Sequence, residues 1–202
     1  VRSDINLTVR GKPHPWASRG GIKLAHGLDH FGIEADGAVC IDIGASTGGF
    51  TDVLLTRGAI KVYAVDSGHG QLDWRLRTDS RVEVRERVNA RYLDREQVPE
   101  RVDLITCDAS FISLTKVLAP SLRRAQRGAK LIALIKPQFE AERRQVGKGG
   151  VVRDPAIHTQ VCERIQAWLN AQPGWNVFGI VESPITGPRG NIEFLIAAEF
   201  SE

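Results

Sequence analysis

Nine consecutive residues, from Asp42 to Phe50, have the types and the spacing of a ligand-binding turn. The run reads Asp42-Ile43-Gly44-Ala45-Ser46-Thr47-Gly48-Gly49-Phe50. It follows an apolar stretch, and glycines between a strand and a helix let backbone N–H groups approach a ligand closely. The run therefore predicts a binding loop after a buried strand. A tight turn that binds nothing is the alternative.

Single residues disfavour two common ligands of such loops. A phosphate-binding P-loop needs Gly-x4-Gly-Lys-Ser/Thr, and Phe50 stands where the lysine is required. A nicotinamide site favours Gly-x-Gly-x-x-Gly, and Ser46 replaces the middle glycine. The remaining candidate is S-adenosylmethionine, which presents an amino acid, a sulfonium and an adenosine but no phosphate.

Polar residues near the ends of three apolar runs match the parts of that cofactor. Asp42 is predicted to meet its ammonium group, directly or through water. Asp66 ends the second run, where an acidic residue accepts hydrogen bonds from ribose hydroxyls, and Asn89 follows the third run, toward the adenine edge. The full set of expected cofactor contacts is Asp42, Gly44, Ser46, Thr47, Gly48, Gly49, Phe50, Asp66, Asn89 and Asp108.

Four charged residues are candidates for chemistry. Asp108 ends the fourth apolar run and Lys136 ends the fifth, so both are expected at the ligand crevice of a parallel sheet. Lys23 lies on a predicted helix, and Glu193 lies at the start of the last strand. Taken singly, each lysine is also consistent with a solvated position and Glu193 with an exposed edge.

The elements that must position these residues alternate between strands and helices. Strands are predicted at 38–43, 61–65, 82–87, 102–107, 130–135, 176–182 and 192–200, and helices at 18–31, 50–57, 72–76, 114–124 and 154–170. Such alternation predicts an α/β fold with helices on both faces of a mostly parallel, seven-stranded sheet. The last two strands lack an intervening helix, so they are expected to form an antiparallel hairpin. This is the layout of Rossmann-like methyltransferases.

Composition narrows the class of protein. The chain has 202 residues and a formal net charge of only +3, which argues against a purely electrostatic nucleic-acid binder. Cys40, Cys107 and Cys162 are widely spaced, which predicts buried reduced thiols in a cytoplasmic protein rather than disulfides or a zinc site. We expect no bound metal, no membrane-spanning segment and no signal peptide. Composition leaves the oligomeric state open.

The chain is predicted to hold one domain. Residues 1–18 are polar, with Pro13 and Pro15 close together, and are expected to form a linker or arm ahead of a domain at 19–202. The sequence begins at Val1 and contains no methionine, so we expect it to be a fragment, or a processed form, of a longer product.

Several stretches together resemble one known family. The chain is similar to the TlyA family, often labelled hemolysin A, within the FtsJ/RrmJ group of ribose 2′-O-methyltransferases. The matching stretches are Ser18-Arg19-Gly20-Gly21-Ile22-Lys23-Leu24, Asp42 to Asp52, Asp108 to Leu114, Lys136-Pro137-Gln138-Phe139-Glu140 and Gly190-Asn191-Ile192-Glu193-Phe194.

The resemblance implies a specific chemistry. It implies a catalytic tetrad of Lys23, Asp108, Lys136 and Glu193, and a ribosomal RNA substrate methylated on a cytidine ribose. Lys136 is expected to act as the base, because partial burial and a neighbouring cation favour the neutral amine. The resemblance also implies an S4-like RNA-binding domain ahead of this one, and residues 1–18 resemble its connector.

Basic residues predict contacts with RNA phosphates. One cluster lies near the start of the chain and includes Arg19. Another follows the fifth strand and includes Arg143, Arg144 and Lys148. Both are expected near the active crevice, with solvated charged loops as the alternative.

Two other functions compete with RNA methylation. A non-catalytic module that binds the cofactor or RNA is one, and the tetrad argues against it. A hemolysin-like, membrane-active protein is the other, and the sequence shows no spanning helix and no plainly amphipathic membrane segment.

Overall fold

A computed structural model describes residues 14–201. Most of the predicted arm, including the basic residues Arg2, Arg10 and Lys12, therefore lies outside the described residues. Trp16 packs over Gly21 and against the core on one side of the sheet.

The sheet has seven strands in the order β3-β2-β1-β4-β5-β7-β6. β1 to β5 pair in parallel, and β7 is antiparallel to both of its neighbours. The predicted mixed sheet with a C-terminal hairpin is confirmed. The strands are β1 (Val39–Ile43), β2 (Lys61–Val65), β3 (Val82–Arg85), β4 (Val102–Cys107), β5 (Ala125–Ile135), β6 (Trp175–Glu182) and β7 (Phe194–Phe200).

Helices cover both faces of the sheet. They are α1 (Gly20–Phe31), α2 (Gly49–Thr56), α3 (Trp74–Arg77), α4 (Leu114–Leu122), α5 (Pro137–Glu140) and α6 (Pro155–Asn170), with 3₁₀ turns at Ala90–Tyr92 and Arg143–Gln145. α1 and α2 pack on one face, and α4 and α6 on the other. Alternating side chains of the strands supply each core: Cys40 faces α1 and α2, whereas Ile41 and Ile43 face α4 and α6.

Several element boundaries differ from the predictions, and the starts of α1 and β5 are two of them. α1 begins at Gly20, and Ser18 caps no helix, although its Oγ accepts a hydrogen bond from the Gly20 N–H at 3.2 Å. β5 begins at Ala125, five residues before the predicted start, because a register shift opposite β4 lets polar residues continue the strand. The short helix α5 is an addition, since four residues are too few to show a helical period.

Two of the three cysteines lie in the core, as predicted, whereas Cys162 on α6 is only partly buried. Cys40 and Cys107 are buried in β1 and β4, and all three cysteines are free thiols. Burial raises the pKa of the Cys107 thiol to about 12, so it stays protonated at neutral pH.

Gly44 brings the glycine loop against the end of β4. Its φ of +80° lies in the left-handed region. A Cβ there would lie 3.0 Å from both the Asp108 carbonyl oxygen and the Ala109 nitrogen, and these backbone atoms have no room to move. The absence of a side chain at residue 44 therefore sets how closely the loop approaches Asp108.

Substituting Gly44 tests this constraint. Gly44→Ala is expected to lower the free energy of unfolding by about 2–4 kcal/mol, from backbone strain and from the clash with β4. Gly37→Ala is the matched control: its φ is +68° but a Cβ there meets nothing within 4 Å, so only about 1 kcal/mol should be lost. If urea unfolding gave the same loss of unfolding free energy for Gly44→Ala and Gly37→Ala, the close approach to β4 would not constrain residue 44.

Candidate active site

Two adjoining cavities open at the carboxyl ends of the parallel strands. The first has a volume of about 410 Å³ and contains all four charged candidates. The second has a volume of about 830 Å³ and lies beside β2 and the 3₁₀ turn that follows β3. Residues common to both linings are Gly44, Ser46, Asp108, Ser110, Phe111 and Phe139.

Lys136 and Asp108 form an ion pair at the wall that the cavities share. The Lys136 ammonium lies 2.6 Å from Asp108 Oδ1, and the lysine side chain is only 8% exposed. Lys136 Nζ also donates hydrogen bonds to Ser110 Oγ at 2.8 Å and to the Asp108 carbonyl oxygen at 3.2 Å. The parallel neighbours β4 and β5 end side by side, which brings these residues together.

Lys23 and Glu193 form a second, more deeply buried ion pair. Lys23 Nζ lies 2.5 Å from Glu193 Oε2, and the two side chains are 6% and 1% exposed. Gln138 Nε2 donates to the other carboxylate oxygen at 3.2 Å. α1 supplies the lysine, and the residue just before β7 supplies the glutamate.

The four candidates therefore lie around one cavity as two acid–lysine pairs. A buried lysine that faces a cavity can hold or take up a proton at Nζ, and a paired carboxylate orients the amine. The second pair can orient a substrate hydroxyl. This arrangement suits proton removal from a nucleophile next to the glycine loop.

The second cavity brings Asp66 and Asn89 together. Asp66 Oδ2 accepts a hydrogen bond from the Ser46 N–H at 2.8 Å, and Oδ1 accepts one from the Gly68 N–H at 2.6 Å. Asn89 caps the 3₁₀ turn, its Oδ1 accepting from the Arg91 N–H. Each Asp66 oxygen keeps a further lone pair for a ligand hydroxyl.

The glycine loop lines these cavities with most of its members. Gly44 and Ser46 border both, while Thr47, Gly49 and Phe50 border the first. Gly48 lines neither: it is the N-cap residue of α2, with a φ of +95°, and a Cβ there would run into Leu72 and Leu76.

Asp42 lies behind the loop rather than in either cavity. It is fully buried, and its carboxylate accepts hydrogen bonds from Thr51 Oγ1 at 2.7 Å and Thr106 Oγ1 at 3.2 Å. Burial raises the pKa of Asp42 to about 7, against the opposing effect of the two hydroxyl donors. The structure thus places Asp42 in a support beneath the loop, away from the expected contact with a ligand ammonium.

Several lining residues were not identified from the sequence. They are Ser110, Phe111, Gln138, Phe139, Arg189 and Asn191. Phe111 is 89% exposed with a φ of +64°, and its ring centroid lies 5.0 Å from that of Phe139. Ser110 and Phe111 follow Asp108, and Gln138 and Phe139 follow Lys136. This position after two strand ends is the sequence signal that could have identified these four residues.

The predicted RNA contacts lie at different distances from the cavities. Arg19 lines the first cavity and donates to the Thr186 carbonyl oxygen. Arg143, Arg144 and Lys148 are exposed on the segment after α5, and Arg144 pairs with Glu142 at 2.8 Å. The Arg189 guanidinium donates to the Gly149 carbonyl oxygen, which ties this segment to the rim of the first cavity.

The donor set fits S-adenosylmethionine. The cavities combine backbone of the glycine loop, the Asp66 carboxylate for ribose hydroxyls and aromatic rings for an apolar ligand. The carboxylates of Asp66 and Asp108 favour a cationic sulfonium. Gln138 Oε1, a buried acceptor, has no hydrogen-bond partner among residues 14–201.

Two kinds of feature are absent from the described part of the chain. No helix there is long and apolar enough to cross a bilayer. Nor do residues 14–201 contain a group of three or more histidine, cysteine or acidic side chains arranged to hold a metal ion.

The chain matches a family of known enzymes. The family model described as FtsJ-like methyltransferase matches residues 16–200. The 16S/23S rRNA (cytidine-2′-O)-methyltransferase TlyA of Mycobacterium tuberculosis is 49% identical over 192 residues, which cover 93% of this chain and 70% of that protein.

Solved structures agree with this match. A structure from Streptococcus thermophilus, described as a hemolysin, superimposes with a TM-score of 0.90 at 43% identity, covering 96% of this chain and 70% of that one. An S-adenosylmethionine-dependent methyltransferase structure from Listeria monocytogenes gives a TM-score of 0.61 at 16% identity, covering 92% of this chain and 100% of that one. The second likeness confirms the predicted fold class.

The buried carboxyl of Asp42 predicts a pH-dependent stability. The folded-state pKa of about 7 exceeds the ordinary value of 3.8, so the folded protein holds this proton more tightly than the unfolded chain. The contribution of Asp42 to the free energy of unfolding is complete below pH 3.8. It is lost as the pH rises from 3.8 through 7, by at most about 4 kcal/mol. Asp42→Asn removes the titration, so its free energy of unfolding should fall less between pH 5 and pH 8. Identical pH slopes in urea unfolding would contradict this assignment.

Proposed function

The chain belongs to the FtsJ-like methyltransferase family and, within it, to the TlyA group, and we propose that it methylates a cytidine ribose 2′-hydroxyl of ribosomal RNA. The observation that carries the proposal is the convergence of the Lys136–Asp108 and Lys23–Glu193 pairs on one cavity. A ribose hydroxyl is a poor nucleophile until a base removes its proton, and such pairs supply that base.

Each member of the two ion pairs has its own proposed role. Lys136 receives the proton of the ribose hydroxyl, and Asp108 orients the lysine. Glu193 holds Lys23 against the opposite side of the cavity, where the pair positions the ribose. When bound, S-adenosylmethionine supplies a methyl group already activated by its sulfonium. Orientation of the hydroxyl toward that methyl group provides much of the remaining acceleration.

The cofactor is proposed to lie across the shared wall. Asp66 would accept hydrogen bonds from its ribose and Asn89 would face its adenine, both from the second cavity. Gly44 and the loop after it would hold the amino-acid end near Asp108. Asp42 supports that loop from below through Thr51 and Thr106.

The RNA is proposed to approach over the first cavity. Arg19 at the cavity, and Arg143, Arg144 and Lys148 beside it, would contact phosphates. The exposed ring of Phe111 offers a surface on which a base can stack. In this proposal residues 19–202 are the catalytic domain, residues 1–18 are its connector, and the enzyme acts on ribosomal subunits in the cytoplasm.

Replacing the proposed base separates catalysis from binding. Lys136→Ala is expected to lower methyl transfer to ribosomal subunits at least about 100-fold, because the proposed final acceptor of the proton is removed, while cofactor binding persists. Lys130→Ala is the control: it lies on the same strand but pairs with Glu199 away from the cavities. Transfer is measured with labelled cofactor, and the methylated position by mapping the RNA.

The same assay distinguishes the competing functions. Cofactor binding by the wild-type protein without transfer to any RNA would favour a non-catalytic module. Near-wild-type transfer by Lys136→Ala would contradict the role of the lysine.

Replacing Asp66 tests the proposed ribose contact. Asp66→Ala is expected to weaken cofactor binding about tenfold or more in calorimetry, because a charged acceptor for the ribose is lost. The exposed Asp29, paired with Arg57, provides the control variant Asp29→Ala. Unchanged cofactor affinity in Asp66→Ala would remove Asp66 from the site.

A further inference from the structure

The Lys136 amine is held by acceptors from one short segment. Its Nζ donates hydrogen bonds to Ser110 Oγ and the Asp108 carbonyl oxygen, and Asp108 Oδ1 lies within ion-pair distance as the third contact. An ammonium group has three donors and no acceptor. As an ammonium group, Lys136 has no lone pair to offer a substrate.

To act as a base, the amine must lose one proton and point a lone pair at one of these three partners. The carboxylate and the carbonyl oxygen can only accept hydrogen bonds, so each would repel a lone pair. The Ser110 hydroxyl alone can reverse its role and donate. The neutral amine therefore keeps both bonds to Asp108 and directs its lone pair at Ser110.

Ser110 is also the more accessible of the two groups. The Lys136 side chain is 8% exposed and borders only the first cavity. Ser110 is exposed and lies on the wall that both cavities share. A ribose hydroxyl at that wall meets Ser110 Oγ before it meets Lys136 Nζ.

We propose that Ser110 relays the proton from the ribose hydroxyl to Lys136, an inference that rests on the proposed function. The ribose O2′–CH₃ bond forms as the CH₃–S⁺ bond breaks, and the sulfur keeps the electron pair. The ribose proton passes to Ser110 Oγ while the Ser110 proton passes to Lys136 Nζ. The positive charge of the sulfonium thus ends on the lysine, and the serine is regenerated.

The test compares three variants of the same protein. Ser110→Ala removes the hydroxyl, Ser110→Thr retains it, and Ser80→Ala changes an exposed serine in the turn before β3. Single-turnover methyl transfer to ribosomal subunits is expected to fall at least about 100-fold in Ser110→Ala. It should stay within about tenfold of wild type in Ser110→Thr and be unchanged in Ser80→Ala.

Two measurements separate a relay from a structural role. Calorimetry should give the same cofactor affinity, within about twofold, for wild type and Ser110→Ala. In the protein without cofactor, NMR should show faster solvent exchange of the Lys136 ammonium protons in Ser110→Ala, because one of three acceptors is missing. Ser110→Thr should restore the slow exchange.

The outcomes are distinct. Transfer by Ser110→Ala within about threefold of wild type would overturn the relay and leave the proposed function intact. Wild-type protein that methylates no ribosomal RNA would contradict the proposed function, and the relay with it. A rate loss that Ser110→Thr does not restore would also overturn the relay, because the hydroxyl would then be irrelevant.

Discussion

Two lysine side chains lie in the interior of this domain, and each is stable there because a carboxylate lies within 2.6 Å. A buried charge without a partner would cost several kcal/mol. Four separate elements must therefore meet: α1, the end of β4, the end of β5 and the start of β7. The order of the strands in the sheet, and the glycine contact between the loop and β4, satisfy this requirement.

Much of the fold follows directly from residue patterns. β2 and β4 were predicted with their observed bounds because both are mostly apolar runs between turns. Helix α6 was predicted from Asp154 and Pro155, and Asp154 does cap it, accepting from the Ala156 N–H at 2.9 Å. The face of the sheet to which a strand residue points is harder to predict from sequence, and Asp42 is an example. It shares the side of β1 occupied by Cys40, so it faces Thr51 of α2 instead of the ligand crevice.

Asp108 and Lys136 were accessible from sequence because they stand at strand ends, where the topology itself brings them together, whereas Lys23 on α1 was assigned through the family resemblance. Gln138 and Ser110 were not accessible from sequence, since their roles depend on contacts across irregular backbone. Gln138 reaches Glu193 over 55 positions of sequence, and Ser110 reaches Lys136 over 26. No local propensity encodes such pairs. They exist only after the sheet has set the relative positions of the two loops.

The Lys23–Glu193 pair joins residues 170 positions apart, and the last strand inserts between two strands made before it. β6 pairs with β7 at the edge of the sheet, so the placements of β6 and of the Lys23–Glu193 pair both depend on the last strand. Contacts of such long sequence separation form late, because their loop-closure entropy must be overcome first. Lys23 is consequently without its carboxylate partner until β7 has inserted, so the ion pair that completes the cavity forms only when the sheet itself is complete.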